Sequence, residues 1–238
     1  MNDHLHVVIT SGGTMSRIDD IRHIDNFSGG TTGALIAEEL LRRGAWINFL
    51  HRKKTQRPFF MNMNLDPDVS LGREIIKATS AYSDYHMYKK RFFLHEFETF
   101  EEYLEIVQYK VSSSDVDVVI LAAAVSDYGA KKTEGKISSN KDELNIKLVK
   151  YPKVISKIKQ WNPNVIQVGF KLLANVSYSE LIKTAREHGI SNNSDITVAN
   201  VVRDGDFKIE KFIWSLRIVC CRQLLLGFLW FWQIVFTA

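Results

Sequence analysis

The feature that most limits how this chain can fold is a mostly apolar run over residues 116–124, "VDVVILAAA". Its apolar side chains do not alternate with polar ones, so a strand formed here must be covered on both faces. Central strands of parallel sheets, which carry helices on both sides, have this pattern. The run therefore predicts a parallel sheet buried between two layers of helices.

Strand-like and helical segments alternate along most of the chain. Strands are predicted over residues 5–10, 45–50, 91–96, 144–149, 165–172 and 195–201. Apolar spacings of three and four predict helices over residues 34–43, 97–107, 153–161 and 178–188, with a weaker signal over 71–81. We expect an α/β fold, a Rossmann-like doubly wound, mostly parallel sheet with helices on both faces. Its ligand should lie at the carboxyl ends of the strands.

Composition and charge argue against several classes of protein. The 238 residues include 31 Lys and Arg against 27 Asp and Glu, and the basic residues are scattered, so nucleic acid is not an expected partner. The two cysteines, Cys220 and Cys221, are adjacent and bridge poorly, which favours a reducing compartment. Strand-like sequence begins at Leu5 with no signal peptide before it, so we expect a cytoplasmic protein.

Residues 205–238 differ in character from the rest of the chain. They hold three of the five tryptophans and both cysteines, and their most apolar part, residues 224–236, has 13 residues without a charge. This is shorter than the roughly 20 residues that cross a bilayer, so a membrane partner is not favoured. We assign residues 1–204 to one domain and residues 205–238 to an aberrant hydrophobic tail, such as a frameshift would produce.

Two glycine clusters flank a polar connection between the first strand and the first helix. They consist of Ser11, Gly12, Gly13 and Thr14, and of Ser28, Gly29 and Gly30. Glycines after a strand let backbone N–H groups converge on an anion, and a helix N-terminus favours a second negative group. Either cluster alone could be an ordinary turn or helix cap. Together they indicate a site for a triphosphate, or for a triphosphate beside a phosphorylated substrate.

The segment "SGGTMSRIDDIRHIDNFSGGTTG" at residues 11–33 resembles the family of phosphopantothenate-cysteine ligases, also called phosphopantothenoylcysteine synthetases, of coenzyme A biosynthesis. The resemblance continues in "AAAVSDY" at 122–128, "KISS" at 136–139, "LVKYPKVI" at 148–155 and "GFKLL" at 169–173. It covers about residues 5–204 and is nearest to the standalone bacterial form, which lacks a fused decarboxylase. Residues 1–204 would then be the nucleotide- and phosphopantothenate-binding ligase domain.

The resemblance implies a two-step ligation. The carboxylate of 4'-phosphopantothenate attacks the α-phosphate of CTP, or less often ATP, to give an acyl-nucleotide and pyrophosphate. The amine of L-cysteine then displaces the nucleotide monophosphate. Fixed N–H dipoles, a lysine and Mg²⁺ suit the charge that builds on phosphoryl oxygens in the first step. The resemblance also implies a homodimer.

The resemblance also assigns roles to single residues. Asn26 acts on the acyl-nucleotide, Lys136 neutralises the triphosphate from a mobile loop, and Asp127 holds Mg²⁺ or its water. The other implied nucleotide- or phosphate-binding residues, besides the two glycine clusters, are Ala123, Ala124, Ser138, Lys150 and Phe170. Without the resemblance, each of three residues is more typical of an ordinary structural role. Asp127 would be a loop residue, Lys136 a solvated surface residue and Phe170 a core residue.

This sequence departs from the family pattern at two sites. Gly29 stands where Ser or Thr is usual, and Ser138 replaces a second lysine. Other functions stay open beside the ligase. They are a non-catalytic nucleotide-binding module and an inactive nucleotide-binding remnant, should the tail prevent folding.

An NADP-dependent short-chain reductase is the remaining alternative. Tyr85-x-x-x-Lys89 and Tyr128-x-x-x-Lys132 match the spacing of that family's catalytic pair, and residues 51–54 could meet a 2'-phosphate. Such a spacing arises easily by chance, and neither pair comes with a single-turn glycine fingerprint.

Overall fold

The computed structural model describes residues 4–61, 63, 68–140, 142–203 and 206–215. Within them, one sheet contains β1 (His6–Ser11), β4 (Trp46–Arg52), β5 (Phe92–Phe97), β6 (Val118–Leu121), β9 (Ile166–Ala174), β10 (Ile196–Arg203) and β11 (Asp206–Ser215). Two separate ribbons pair β2 (Met15–Arg17) with β3 (His23–Asp25), and β7 (Tyr128–Ala130) with β8 (Leu148–Lys150). The α-helices are α1 (Thr31–Arg42), α2 (Leu71–Tyr88), α3 (Phe100–Val111), α4 (Ile158–Trp161) and α5 (Tyr178–Ser191).

The strand order confirms the predicted doubly wound fold. The sheet runs β5-β4-β1-β6-β9-β10-β11, and all neighbours are parallel except β11, which is antiparallel to β10. The chain builds outward from β1 in one direction through β4 and β5, and then in the other through β6, β9 and β10. The switch point therefore lies between β1 and β6, where doubly wound folds bind their ligands.

Two apolar clusters cover the two faces of the sheet. Val7 and Ile9 of β1 pack on one face with Ile36 and Leu41 of α1. Val8, between them in the strand, packs on the opposite face with side chains of α3. Successive residues of β1 are thus buried on both sides, as its lack of polar alternation requires.

Several element boundaries differ from those predicted. The strand predicted over 116–124 ends at Leu121, because the N–H groups of Ala123 and Ala124 turn toward Thr10 Oγ1 and Gly12 O. The helix predicted from residue 97 begins at Phe100, since Thr99 caps it. The weak helix over 71–81 extends to Tyr88.

The predicted elements between residues 144 and 161 are shorter than expected. Over 144–149, strand pairing is limited to Leu148–Lys150, which is exposed and forms a small ribbon outside the main sheet. The helix over 153–161 is divided into a 3₁₀ turn, Val154–Lys157, and the single turn of α4. Apolar residues in such short, partly exposed segments can match the spacing of a strand or of a helix. The pattern alone therefore does not show whether a full strand or helix forms there.

Part of the segment predicted as an aberrant tail is a strand of the sheet. β11 pairs antiparallel with β10, while Cys220, Cys221 and the apolar run 224–236 lie outside the described residues. The division at residue 205 stays a prediction. In the part of the chain that the structure describes, no helix is long and apolar enough to cross a bilayer.

Candidate functional site

The first glycine cluster lies at the carboxyl end of β1, beside the switch point. Gly12 has a φ of +84°, and a Cβ there would lie 2.8 Å from Thr55 Cγ2. A Cβ on Gly13 would lie 2.5 Å from the backbone oxygen of Asn26. Glycine at both positions therefore lets the chain turn tightly while two other segments approach its backbone.

The second glycine cluster begins α1, and Ser11 connects it to the first. The buried Ser11 hydroxyl donates to the Gly30 oxygen at 2.9 Å, and a Cβ on Gly33 would lie 2.6 Å from Ser11 Oγ. Gly30 is the N-cap residue with a φ of +79° and gives no side-chain cap. The first N–H groups of α1 are thus left without a capping side chain, which suits an anion.

The hydroxyl groups of the first cluster bond to the protein itself. Thr14 is buried, and its Oγ1 accepts a hydrogen bond from the Ser126 N–H at 3.0 Å. Ser11 Oγ is committed to Gly30 as described. Any role of these two residues in anion binding would therefore pass through their backbone.

Asn26 lies where the connection between the two glycine clusters crosses the end of β6. Its Nδ2 donates to the Ala124 oxygen at 3.3 Å, and its Oδ1 accepts from Ser126 Oγ at 3.2 Å. The Ala124 N–H in turn donates to the Gly12 oxygen at 2.7 Å. These bonds fix the orientation of the amide and leave it one further N–H and one further lone pair for a ligand.

Asp127 is exposed and directly follows Ser126, whose N–H bonds to Thr14 of the first glycine cluster. Among the described residues, no three His, Cys, Asp or Glu side chains are grouped as a metal site. Mg²⁺ in nucleotide sites is commonly held by one or two carboxylates together with substrate phosphates. A single carboxylate beside the two glycine clusters fits that arrangement, so Asp127 would hold the ion jointly with the triphosphate.

Lys150 ends β8, on the ribbon that also begins beside Asp127. The next residue, Tyr151, stacks on Phe100 with ring centroids 4.1 Å apart, and its N–H donates to the Asp127 oxygen at 2.9 Å. A Cβ on Gly129 would lie 2.1 Å from the Tyr151 hydroxyl, so the ring fits beneath the ribbon only because that residue is glycine. Tyr151 therefore ties Asp127 and Lys150 to the body of the sheet.

The remaining predicted residues lie on other segments. Lys136 and Ser138 are exposed on the loop after β7. Phe170 lies on β9, and its half-buried ring packs against the core cluster on the α1 face, as does Ala122. Direct hydrogen bonds thus join the two glycine clusters, Asn26 and Ala124 into one site, and Ala123 bonds to Thr10 just before the first cluster. Among the described residues, no such bond joins Lys136, Ser138 or Phe170 to that centre.

Sequence reasoning missed residues that hold the site together. Ser126 orients Asn26, and Gln56 donates its N–H to the Gly29 oxygen at 2.8 Å, which places the loop after β4 beside the second cluster. Ser126 is part of the "AAAVSDY" segment, so a signal for it was present. Gln56 acts through its backbone, and no residue type reveals such a contact in advance.

Three of the residues that suggested a reductase have other partners. His51 is buried, its Nδ1 lies 3.0 Å from the Arg52 oxygen, and burial lowers its pKa. Arg52 pairs with Asp25, and Lys132 pairs with Asp20. His51 and Arg52 therefore do not form a pair of cations that could bind a 2'-phosphate.

The sequence matches the model of one protein family, the DNA/pantothenate metabolism flavoprotein C-terminal domain, over residues 2–81 and 87–218. The chain belongs to this family. One curated relative is the coenzyme A biosynthesis bifunctional protein CoaBC of Thermococcus kodakarensis. It is 35% identical to this chain over 198 residues, which are 83% of this chain and 41% of the relative. Phosphopantothenate–cysteine ligase 1 of Arabidopsis thaliana is 30% identical over 195 residues, 70% of this chain and 60% of the relative.

These relatives confirm the resemblance seen in the sequence blocks, while the chain spans less than half the length of the CoaBC protein. A solved structure of the same flavoprotein family, from Streptococcus pneumoniae, superposes with a TM-score of 0.68 at 26% identity, covering 96% of this chain and 99% of that one. A Cab2 mutant in complex with phosphopantothenate-cysteine has the same fold, with a TM-score of 0.71 at 24% identity over 90% of this chain and 82% of that one. The standalone form, without a fused decarboxylase, stays a prediction.

Proposed function

We propose that this chain is a phosphopantothenate-cysteine ligase that joins 4'-phosphopantothenate to L-cysteine through an acyl-nucleotide. One observation carries the proposal. Two backbone segments suited to binding an anion and an oriented amide, that of Asn26, meet at the β1–β6 switch point. A relative named for this reaction is 30% identical over 195 residues, which supports the proposal.

In the first step, the substrate carboxylate attacks the α-phosphate and pyrophosphate leaves. The uncapped N–H groups of α1 and the backbone of the first glycine cluster bind phosphoryl oxygens, and Lys136 neutralises charge that grows in the transition state. Asp127 would hold Mg²⁺ together with the phosphates, and the ion would supply further electrostatic stabilisation. Lys150 provides a second cation on the same ribbon as Asp127.

In the second step, the cysteine amine attacks the acyl carbon and the nucleotide monophosphate leaves. The Asn26 amide acts here, because its free N–H can donate to the acyl oxygen as negative charge develops on it. Its orientation is already set by Ala124 and Ser126, so little reorganisation is needed. A donor that meets the charge only in the transition state raises the rate of the chemical step.

We further propose CTP as the preferred nucleotide, a cytoplasmic location and a homodimer. Exposed apolar side chains near the site support the dimer: Phe27 is 98% exposed, and Ile24 and Leu148 are also open to solvent. Exposed apolar side chains that form one patch are typical of surfaces that a second protein covers, and the proposed dimer would cover these three.

Pyrophosphate release from the purified chain tests the proposal. We expect release with 4'-phosphopantothenate, Mg²⁺ and CTP, slower release with ATP, and amide product only after cysteine is added. Release that does not require phosphopantothenate would refute the ligase, and a lack of release with either nucleotide would leave the non-catalytic alternative.

A further inference from the structure

The two carboxylates that follow Ile18 contact the loop that carries Lys136. Asp19 has a fully buried side chain that accepts hydrogen bonds from the N–H groups of Ile21 and Arg22 at 2.9 and 2.7 Å, and from Arg22 Nε at 2.9 Å. Its Oδ2 also accepts the Ile137 N–H at 3.1 Å. A buried carboxylate with this many donors is well satisfied and fixes the backbone around it.

Asp20 makes the second set of contacts. Its Oδ2 accepts the Gly135 N–H at 2.9 Å, its Oδ1 lies 2.7 Å from Lys132 Nζ, and its own N–H donates to the Gly135 oxygen at 3.1 Å. Gly135 has a φ of +73°, a conformation that turns the chain immediately before Lys136.

The N–H groups on both sides of Lys136 are therefore bonded to successive carboxylates. Two more bonds join the same segments: Thr133 N–H to the Ile18 oxygen at 2.9 Å, and Arg22 Nη2 to the Ile137 oxygen at 2.6 Å. The Lys136 side chain is exposed while its backbone is held. This arrangement fixes the origin of a long cationic side chain and leaves its tip free to reach a ligand.

We propose that Asp19 and Asp20 form a carboxylate latch that positions Lys136 for the first half-reaction. Both are positioning residues, since they act through the loop and contact no substrate. The inference rests on the proposed function, because the position of Lys136 matters only if Lys136 neutralises a triphosphate. Asp19 and Asp20 lie in the polar connection between the two glycine clusters, so this connection would also position Lys136.

The charge state of both carboxylates suits a latch. Burial raises the pKa of Asp19, but hydrogen bonds from the Ile21 and Ile137 N–H groups and from Arg22 outweigh it and hold that pKa below its usual range. The hydrogen bond from Lys132, followed by that from Gly135 N–H, lowers the pKa of Asp20. Both groups are thus ionised at neutral pH, when charge-assisted bonds are strongest.

Asp20→Ala tests the latch in the full chain, because Asp20 is half exposed and its loss should not prevent folding. Hydrogen exchange over residues 131–138 should become about two- to tenfold faster, the factor expected for loss of one hydrogen bond. Lys132→Gln, which removes the ion pair alone, is the control and should raise exchange less. Asp20→Asn keeps an acceptor oxygen for Gly135 and should restore much of the protection.

Kinetics then separate positioning from a general loss of structure. In Asp20→Ala, pyrophosphate release should fall by about 10- to 100-fold, as for a misplaced catalytic group, with a raised KM for the nucleotide. Conversion of supplied acyl-nucleotide with cysteine should be unchanged, because the triphosphate has already left. Lys136→Gln should show the same split, and combining it with Asp20→Ala should add little.

Unchanged exchange in Asp20→Ala would overturn the latch itself. Faster exchange with unchanged pyrophosphate release, or an equal loss in both half-reactions, would overturn its role in positioning Lys136. If wild-type protein releases no pyrophosphate with any nucleotide, the ligase proposal and the positioning role both fail. The exchange data would still decide whether the carboxylates hold the loop.

Discussion

Because Gly13 has no side chain, the Asn26 backbone can lie directly against it. The backbone oxygen of Asn26 occupies the space that a Cβ on Gly13 would need. Any larger residue must push the Asn26 backbone away, and the Asn26 amide would then lose its geometry toward Ala124 and Ser126.

We therefore expect Gly13→Ala to damage the second half-reaction most. A shift of about 1 Å in a catalytic group can slow a step by about 100-fold. Amide formation should fall by this order while pyrophosphate release is reduced less, and the acyl-nucleotide should accumulate in mass spectra.

Gly29→Ala is the matched control for this change. A Cβ there would meet nothing closer than Thr31 Oγ1 at 3.8 Å, and the residue has no left-handed φ. Both half-reactions should stay near wild-type rates, and stability should change by no more than about 0.5 kcal/mol. Equal damage by the two variants would contradict the packing explanation.

Residue chemistry in the sequence predicts only part of this arrangement. The glycine clusters could be selected from their types and spacing after a strand, whereas the role of Asn26 was assigned through the family resemblance. The commitment of Ser11 Oγ to Gly30 could not, since a serine after a strand is equally suited to phosphate. The contact of Asp19 with the loop that carries Lys136 was likewise hidden, because its partner there, the Ile137 N–H, is distant in sequence and is a backbone group.

At the level of elements, the start of α3 joins helix stability to the site. Thr99 caps α3 in a capping box with Glu102, and Met15 of β2 forms a bridge with Thr99 and donates its N–H to the Glu98 oxygen at 3.0 Å. Tyr103 and Val107 on the buried side of this helix pack in the core. The cap therefore lies where the β2–β3 ribbon meets the helix layer.

Thr99→Ala should lower the free energy of unfolding by about 1 kcal/mol, because the Glu102 N–H loses its acceptor. Urea unfolding measures this, and Thr99→Ser, which keeps the hydroxyl, should recover most of the loss. A decrease within error for Thr99→Ala would mean that the capping box contributes little. Pyrophosphate release should be nearly unchanged at a temperature where the variant is folded.

Long, well-patterned elements could be predicted, and short ones could not. The parallel core strands and α1, α3 and α5 follow apolar periodicity that burial enforces. The four strands of the two ribbons, β2, β3, β7 and β8, each have three residues, too few to show an alternation. These ribbons form because tertiary contacts, such as those of Tyr151 and Asp19, hold them in place.

For the molecule as a whole, His188 should make stability depend on pH. Burial, reinforced by Lys171 and Lys153 and opposed by Asp127, lowers its pKa from 6.5 to about 4. Its Nδ1 is buried without a hydrogen-bond partner among the described residues. Between these two pKa values the unfolded chain binds more protons than the folded one, so stability falls as the pH drops through this window.

His188→Gln should flatten this dependence. Comparison of Tm at pH 7.5 and pH 5 should show a smaller decrease for the variant than for wild type, although the buried His51 acts in the same direction and remains. The exposed His86→Gln serves as control and should keep the wild-type decrease. A His188 variant with an undiminished acid response would show that the imidazole is not the responsible group.

The position of β1 in the middle of the sheet has a consequence for biosynthesis. As the chain leaves the ribosome, β1 can pair with β4 early, but its other neighbour, β6, follows only after α2, β5 and α3. Pairings between segments so far apart in the chain form late, because a long loop must close first. The nascent protein therefore carries its glycine turns before it has a crevice, and nucleotide cannot assist folding until Ala124 and Ser126 have emerged.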